Sequence, residues 1–392
     1  MISLQDLLGL PHYELIDYEK TGGEVRISVR YTGPRSCLNC SSTRLKNRGV
    51  VSRVVRHVSW AAERVWLKLT GHRWKCRECG QQFRERFPGV LQAQRASEAF
   101  RYQVFRDHWD GINRSRLARR EGIGHATVER HCVHFLERLA AERAGAPCPQ
   151  VLGIDEHFFS RKQGYATTFC DLKNHHVYDV VLGRSEAALE AYLNRLEGKD
   201  HVRIVCMDLS STYRALVKKH FPKARIVADR FHVIRLVNHH FLNCWRQLDP
   251  DGSKNRGLIS LMRRHRHKLK PEQTTRLKAY LSRHKILEII YSFKQRLCYL
   301  LLKKHRTRQQ CAQLVPRLLK AIYQLKQETL PPLLALGETL GSWSDEIATM
   351  WRFTRNNGIT EGFHTKMEVL QRQAYGFRNF KNYQLRVRVL CS

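Results

Sequence analysis

Apolar residues recur along this chain with two different periods, and the switches between them mark its segments. Alternation over Glu24–Arg30 (Glu-Val-Arg-Ile-Ser-Val-Arg) predicts a strand, and Val50–Val58 and Arg64–Thr70 read the same way. A short helix is expected over Ser3–Leu8. Between 112 and 136 the spacing changes to three and four residues, which predicts a helical pair. A Gly/Pro-bearing linker, Ala144–Gln150, ends that segment. Three strand-like runs follow at 151–159, 165–172 and 175–183. A helix over Ser185–Leu196, a buried strand at 201–208, a helix at 211–220, a strand over Ala224–Ala228 and a helix over Arg230–Gln247 come next. The order β-β-β-α-β-α-β-α predicts a mixed sheet flanked by helices. Helical periodicity then runs from 254 through Pro331-Pro332 to about Trp351. A turn at Asn356-Asn357-Gly358 leads into a last helix starting near Thr360–Glu361.

Charge changes the picture. The 392 residues include 69 Lys or Arg against 35 Asp or Glu, a formal excess of +34. So large an excess points to a polyanionic partner, most simply nucleic acid. Residues 254–308 carry 17 Lys or Arg and two acids, Glu272 and Glu288. Such a segment is either a helical module that tracks phosphates or a solvated basic face, and the imbalance favours DNA contact, with Arg263 and Arg264 as candidates. No apolar run approaches the ~18 residues of a membrane span. The N-terminus carries Asp6 and Glu14 and has no basic n-region, unlike a secretory signal. Eight of the twelve cysteines are scattered singly. That usage suits a reducing compartment, so a cytoplasmic, nucleoid-associated protein is expected.

The other four cysteines form two CxxC pairs, Cys37/Cys40 and Cys76/Cys79, with 35 residues (41–75) between them. Thiolates at i and i+3 on a tight turn can both face one ion, and two such turns complete a tetrahedral zinc site. A small residue follows each pair, Ser41 or Gly80, and the long gap calls for a β-hairpin insert. Four cysteine ligands leave no coordination position open, so one structural Zn²⁺ is expected. Downstream, Ala118 sits where two helices approach closely, Gly122 at a turn, and Val128 on the inner face of the second helix. This predicts a helix-turn-helix with His125–Glu137 as recognition helix, its exposed side bearing His125, Thr127, Arg130, His131 and His134. Arg116, on the first helix, is a further candidate for DNA contact. An ordinary helical hairpin shares the spacing, but the basic surroundings favour DNA.

Two acids interrupt apolar runs: Asp155 in Val151-Leu-Gly-Ile-Asp and Asp208 at the end of Ile204-Val-Cys-Met-Asp. A charge in a buried strand is expensive unless it is paired or holds a metal. Each could equally cap the following helix, and Asp208, just before Leu209-Ser-Ser-Thr, is the more ambiguous. Phosphodiester chemistry needs carboxylates that hold two divalent cations, and both residues suit that purpose.

Taken together, the cysteine-rich finger, the helix-turn-helix, GIDEHFF, CMDLSSTYR, ADRFHVIRLVN and the C-terminal NGITEGFHTKMEVLQRQAYGFRNFKNYQLR resemble the bacterial insertion-sequence transposases of the ISL3 type. The resemblance implies a catalytic Asp-Asp-Glu triad on an RNase H-like fold, and carries it onto Asp155, Asp208 and Glu361. Asp155 would bridge two Mg²⁺ (or Mn²⁺) ions, with Asp208 and Glu361 each completing a shell. Asp229 and His232 look like a supporting Asp-x-x-His feature. His364 stands where Asn is frequent. The 153 residues between Asp208 and Glu361 accommodate the helical insertion. The expected class is multidomain α+β. It comprises a zinc-binding module (1–90), a helix-turn-helix domain (91–145), an RNase H-like core in two parts (150–250 and 351–392) and a basic all-α insertion (251–350). The expected function is DNA transposition: binding of terminal inverted repeats in double-stranded DNA, strand cleavage and transfer to target DNA. A homodimer or higher assembly would synapse two ends, with no membrane involved. The alternative is an inactive, sequence-specific DNA-binding regulator; a plain nuclease leaves two DNA-reading modules unexplained.

Overall fold

The computed structural model describes residues 9–10, 12–60, 63–142, 147–353, 358–374 and 376–391. The expected helix Ser3–Leu8, most of the linker's first half and the turn residues Asn356 and Asn357 lie outside them. The chain forms two compact units, one of 1–142 with 373–375 and one of 143–372 with 376–392.

The first unit pairs a sheet with three helices. Strands β1 (Tyr13–Thr21), β2 (Glu24–Tyr31), β3 (Leu45–Trp60) and β4 (Glu63–Cys76) lie in the order β1-β2-β4-β3, and the short β5 (Gln82–Arg84) pairs with β4. The alternation read in β2 is real: Val25, Ile27 and Val29 are buried against Val55, Val65, Leu67 and Leu69. β3 and β4 form the hairpin demanded by the gap between the CxxC pairs, longer at both ends than the apolar pattern alone marks.

Helices α1 (Glu98–Trp109), α2 (Arg114–Glu121) and α3 (His125–Ala141) follow. Ser97 caps α1 and its hydroxyl also meets His57 Nδ1 at 2.8 Å, which ties the helix to β3. Arg56, also on β3, forms a buried ion pair with Glu121 at the end of α2 (3.2 Å) and donates to the carbonyls of His57 and Val65. Cysteine-rich hairpin and helices therefore share buried polar contacts as well as apolar ones.

The second unit holds a five-stranded sheet of β6 (Val151–Ser160), β7 (Gly164–Asp171), β8 (His176–Leu182), β9 (Ile204–Met207) and β10 (Arg225–Ala228). Their order is β10-β9-β6-β7-β8; β6, β9 and β10 are mutually parallel, and β7 and β8 turn back antiparallel. Helices α4 (Glu186–Arg195), α5 (Ser211–His220) and α6 (Arg230–Leu248) alternate with the later strands. The strand expected at 201–208 is shorter because Lys199–His201 is a 3-10 turn.

An all-helical stretch follows: α7 (Arg256–Arg263), α8 (Pro271–Leu281), α9 (Lys285–Leu301), α10 (Arg308–Lys326), α11 (Pro331–Ser342) and α12 (Ser344–Arg352). It shares one apolar core with the sheet. Arg230, 5% exposed, stitches the two by donating to the carbonyls of Leu301, Lys303 and Met350. Helices α13 (Gly358–Gln373) and α14 (Phe380–Leu390) close the chain. Among the described residues no helix is long and apolar enough to cross a membrane.

Candidate functional site

The two CxxC turns are built alike. Ser41 (φ 57°) and Gly80 (φ 75°) both take the left-handed conformation, which returns their N–H groups to the carbonyls of Cys37 (3.0 Å) and Cys76 (3.2 Å). The hairpin ladder ends with Leu45 opposite Cys76, so the two turns meet at its tip. Cys37 Sγ lies 3.5 Å from Cys79 Sγ, and Cys40 Sγ 3.5 Å from Cys76 Sγ. All four sulfurs fall within 4.8 Å of one another. Zn–S bonds of ~2.3 Å in a tetrahedron put sulfurs just under ~4 Å apart, so the donor set fits one zinc ion with no open position. Among the described residues this is the one group of three or more His, Cys, Asp or Glu side chains that converges so closely.

In the second unit, strand register gathers the acids. Ile154 pairs with Met207 and Met207 with Ala228, so the next residue on each strand is an aspartate: Asp155, Asp208 and Asp229. Asp155 is 7% exposed; burial pushes its carboxyl up to about 7, opposed by His232 and the Glu156 N–H and reinforced by Asp208 and Asp229. Burial likewise raises Asp208 to about 6. The helix-capping explanation for Asp208 fails, because Ser210 caps α5 through its own hydroxyl. Asp208 Oδ1 is buried without a hydrogen-bond partner. Asp229, by contrast, does cap α6, and His232 Nε2 stands 3.7 Å from its Oδ2. Glu361 is exposed in the first turn of α13, beside the buried Thr360.

A group the sequence reading missed ties these elements together. Thr168 faces Asp155 across the β6–β7 ladder. Its hydroxyl meets His157 Nδ1 (3.0 Å) and His364 Nε2 (3.2 Å), and His157 Nε2 meets the Tyr383 hydroxyl of α14 (2.8 Å). Burial, and secondarily each one's neighbouring histidine, lowers His157 to about 3 and His364 to about 4, so both rings are neutral near pH 7. His364 is one helical turn beyond Glu361, and this chain of bonds anchors the helix of Glu361 to the strand of Asp155. A sequence signal existed: His157 shares a strand face with Asp155, two residues away.

The helical pair of the first unit bends at Gly122, left-handed at φ 66°, where a side chain would also strike Arg64. Arg116, His125 and Arg130 are exposed, and Arg130 reaches the half-buried Thr127 at 3.1 Å. His131 requires correction. Expected on the exposed side of α3, it is 5% exposed, its Nδ1 beside Arg101 Nε (3.4 Å) and its ring edge-on to Phe100. It belongs to the inward stripe of Val128, Cys132 and Phe135. Arg263 and Arg264 are exposed at the end of α7.

A four-cysteine hairpin fit for one zinc ion in the first unit, and aspartates gathered where the parallel ladders of the second unit end, define a two-module protein. A transposase family model of the ISL3 type matches residues 152–387, and a second, described as the zinc-finger of transposase IS204/IS1001/IS1096/IS1165, matches 33–79. The chain belongs to the ISL3 transposase family. It is 25% identical over 367 residues to the transposase for insertion sequence element IS1001 of Bordetella parapertussis, covering 90% of this chain and 87% of that protein.

Proposed function

We propose that this chain is an insertion-sequence transposase that binds terminal inverted repeats in duplex DNA and cuts and rejoins DNA strands through Asp155, Asp208 and Glu361. The observation that carries the reading is the pair Asp155 and Asp208, side by side where the parallel β6–β9 ladder ends, one oxygen of Asp208 buried and unbonded. An acid kept in that state without a capping role fits a cation ligand. The strand order supports an RNase H-like core: three antiparallel strands, with two parallel ones added beside the first. The family membership supports the activity.

Mg²⁺ or Mn²⁺, when bound, supplies positive charge at the scissile phosphate and lowers the pKa of a bound water. Asp155 and Asp208 would hold it from the sheet, and Glu361 from α13. Asp229 keeps His232 beside the acids, where it favours their ionised forms. His157, Thr168 and His364 orient the helix of Glu361. Cleavage breaks the P–O3′ bond, with water delivering its oxygen to phosphorus and a proton passing to O3′, which leaves as a hydroxyl. In strand transfer the freed 3′-hydroxyl attacks a second phosphodiester and gives up its proton, while that diester's own P–O3′ bond breaks and its O3′ takes up a proton, so no oxidant or nucleotide is consumed. Arg116, His125, Thr127 and Arg130 contact the repeat, and two chains bring two ends together.

The test is a labelled terminal-repeat duplex with target DNA, with and without Mg²⁺. Metal-dependent cutting and joining, lost in Asp155→Asn with repeat binding retained, is expected. Binding without cutting by the wild-type chain would leave a regulator, and cutting without joining a nuclease.

A further inference from the structure

Residues 263–268 read Arg-Arg-His-Arg-His-Lys, six basic side chains in a row between α7 and α8. Like charges in series repel, and such a run is ordinarily a mobile, solvated stretch. Here one helix, α9, holds its backbone at almost every step. Lys294 Nζ donates to the carbonyls of Met262 (2.7 Å) and Arg263 (3.1 Å). Gln295 Nε2 donates to Arg264 O at 3.0 Å, and its Oε1 accepts from the Arg266 N–H at 3.1 Å. The Lys268 N–H closes back on His265 O at 2.9 Å, within a 3-10 turn over Arg266–Lys268.

Lys294 is the unusual member. It is 2% exposed, over the rings of Phe241 (5.2 Å) and Tyr291 (5.8 Å), and burial pushes it down to about 8. Burying an ammonium is costly unless its donors are met. In this unit it is placed at the carbonyl end of α7, where the helix dipole and two ring faces receive it. Its consequence is a fixed backbone from which Arg263, Arg264, Arg266, His267 and Lys268 all project into water.

We propose that the 263–268 loop is a preformed clamp for the phosphodiester backbone of duplex DNA, with Lys294 and Gln295 as positioning residues that set the spacing of its charges. A row of cations on a held backbone suits a row of phosphates, and fixing it in advance removes an ordering cost from binding. Such contacts carry no sequence information, which distinguishes this loop from α3. The proposal rests on the reading that the chain acts on DNA.

The experiment measures affinity of the full-length protein for a labelled duplex of random sequence across about 50–200 mM salt, with thermal melting of each variant. R263A/R264A should flatten the slope of log K against log salt by about 1.8, if each arginine meets one phosphate. Q295A removes no charge and lies at the surface of α9; binding about fivefold weaker with unchanged melting is expected. K294M should move affinity the same way and further, and Q295A keeps the test decisive if K294M fails to fold. An unchanged slope for the double arginine variant overturns the clamp. Wild-type affinity for Q295A overturns the positioning role. Capture by anionic vesicles but not by duplex overturns the choice of partner. Repeat binding by a wild-type chain that ignores random duplex overturns the clamp while sparing the transposase reading.

Discussion

Two clusters of candidate ligands in this molecule, one of thiols and one of carboxylates, are built in opposite ways. The cysteine site takes all four ligands from two tight turns at the tip of one hairpin, and its sulfurs already stand at zinc-binding separation. The proposed carboxylate site would draw Asp155, Asp208 and Glu361 from three elements spread over 207 positions of chain, with Asp155 and Asp208 side by side where the β6–β9 ladder ends and Glu361 exposed. Four thiolates form a closed structural site, whereas carboxylates at an open edge leave room for substrate oxygens. Under the proposed function, the difference separates a cation that completes a fold from cations that would do chemistry. It predicts that damage to the first site destroys structure, and damage to the second destroys activity alone.

The largest effect should follow loss of zinc. Structural zinc in small fingers contributes on the order of 10 kcal/mol, because the ligands repel or scatter without it. Cys76→Ser, or chelation, should unfold the hairpin and, through the Arg56–Glu121 and His57–Ser97 contacts, loosen α1–α3. Metal analysis should find one zinc per chain, with repeat binding lost on its removal. A chelated protein with an unchanged melting curve would erase the contrast between the two sites.

Next in size, Asp155→Asn or Asp208→Asn should lower cleavage by at least about a thousandfold, since ligands that act as a unit fail as one. Melting temperature should not fall. Glu361→Gln should do the same; wild-type cleavage by that variant would remove Glu361 from the triad and point to Glu368, two turns along the same helix.

The two sites also differed in how far they could be read in advance. The CxxC spacing is a local pattern whose geometry follows from four residues and a turn. Asp155 and Asp208 were legible because a charge broke an apolar run, and the β-β-β-α-β-α-β-α order placed them in one sheet. Glu361 broke no pattern on its own helix and entered through the resemblance. His131 was misplaced because its polarity suggested an outward face, whereas Val128, Cys132 and Phe135 set the inward stripe. The Thr168 bonds were invisible because they depend on β6–β7 register and on a helix 196 residues away.

A smaller effect concerns pH. Asp155 has a folded-state pKa of about 7 against an ordinary 3.8, so between those values the folded, metal-free protein holds more protons than the unfolded chain. Stability contributed by this group therefore declines as pH rises from about 4 to 7. Asp155→Asn removes the penalty. The metal-free variant should be about 4 kcal/mol more stable than wild type above pH 7, the difference vanishing near pH 4. Equal stability at all pH values would mean the acid is not strained by burial, and the open-site side of the comparison would weaken.

The smallest effect tests what holds the open site in register. His364 Nε2 and His157 Nδ1 share the Thr168 hydroxyl, and Thr168 stands across the ladder from Asp155. One hydroxyl proton serves two bonds, so one imidazole accepts from Thr168 and the other donates to it, with both rings neutral. His364→Ala removes the helix end of this bridge without touching a carboxylate. Glu361, three residues earlier, would then lose part of its orientation, and a displacement of under an ångström is enough to cost about tenfold in rate. The loss should fall on the cleavage rate rather than on repeat affinity, and should be partly relieved by raising Mn²⁺. His364→Asn, whose amide can still bond Thr168, should recover most of the rate. Thr168→Val should match His364→Ala, since both remove the same bond, and the double variant should be little worse than either. Additive losses in that double variant would mean that His364 and Thr168 act separately. The helix of Glu361 would then be held chiefly by its apolar contacts, those of Phe363 and Met367 among them.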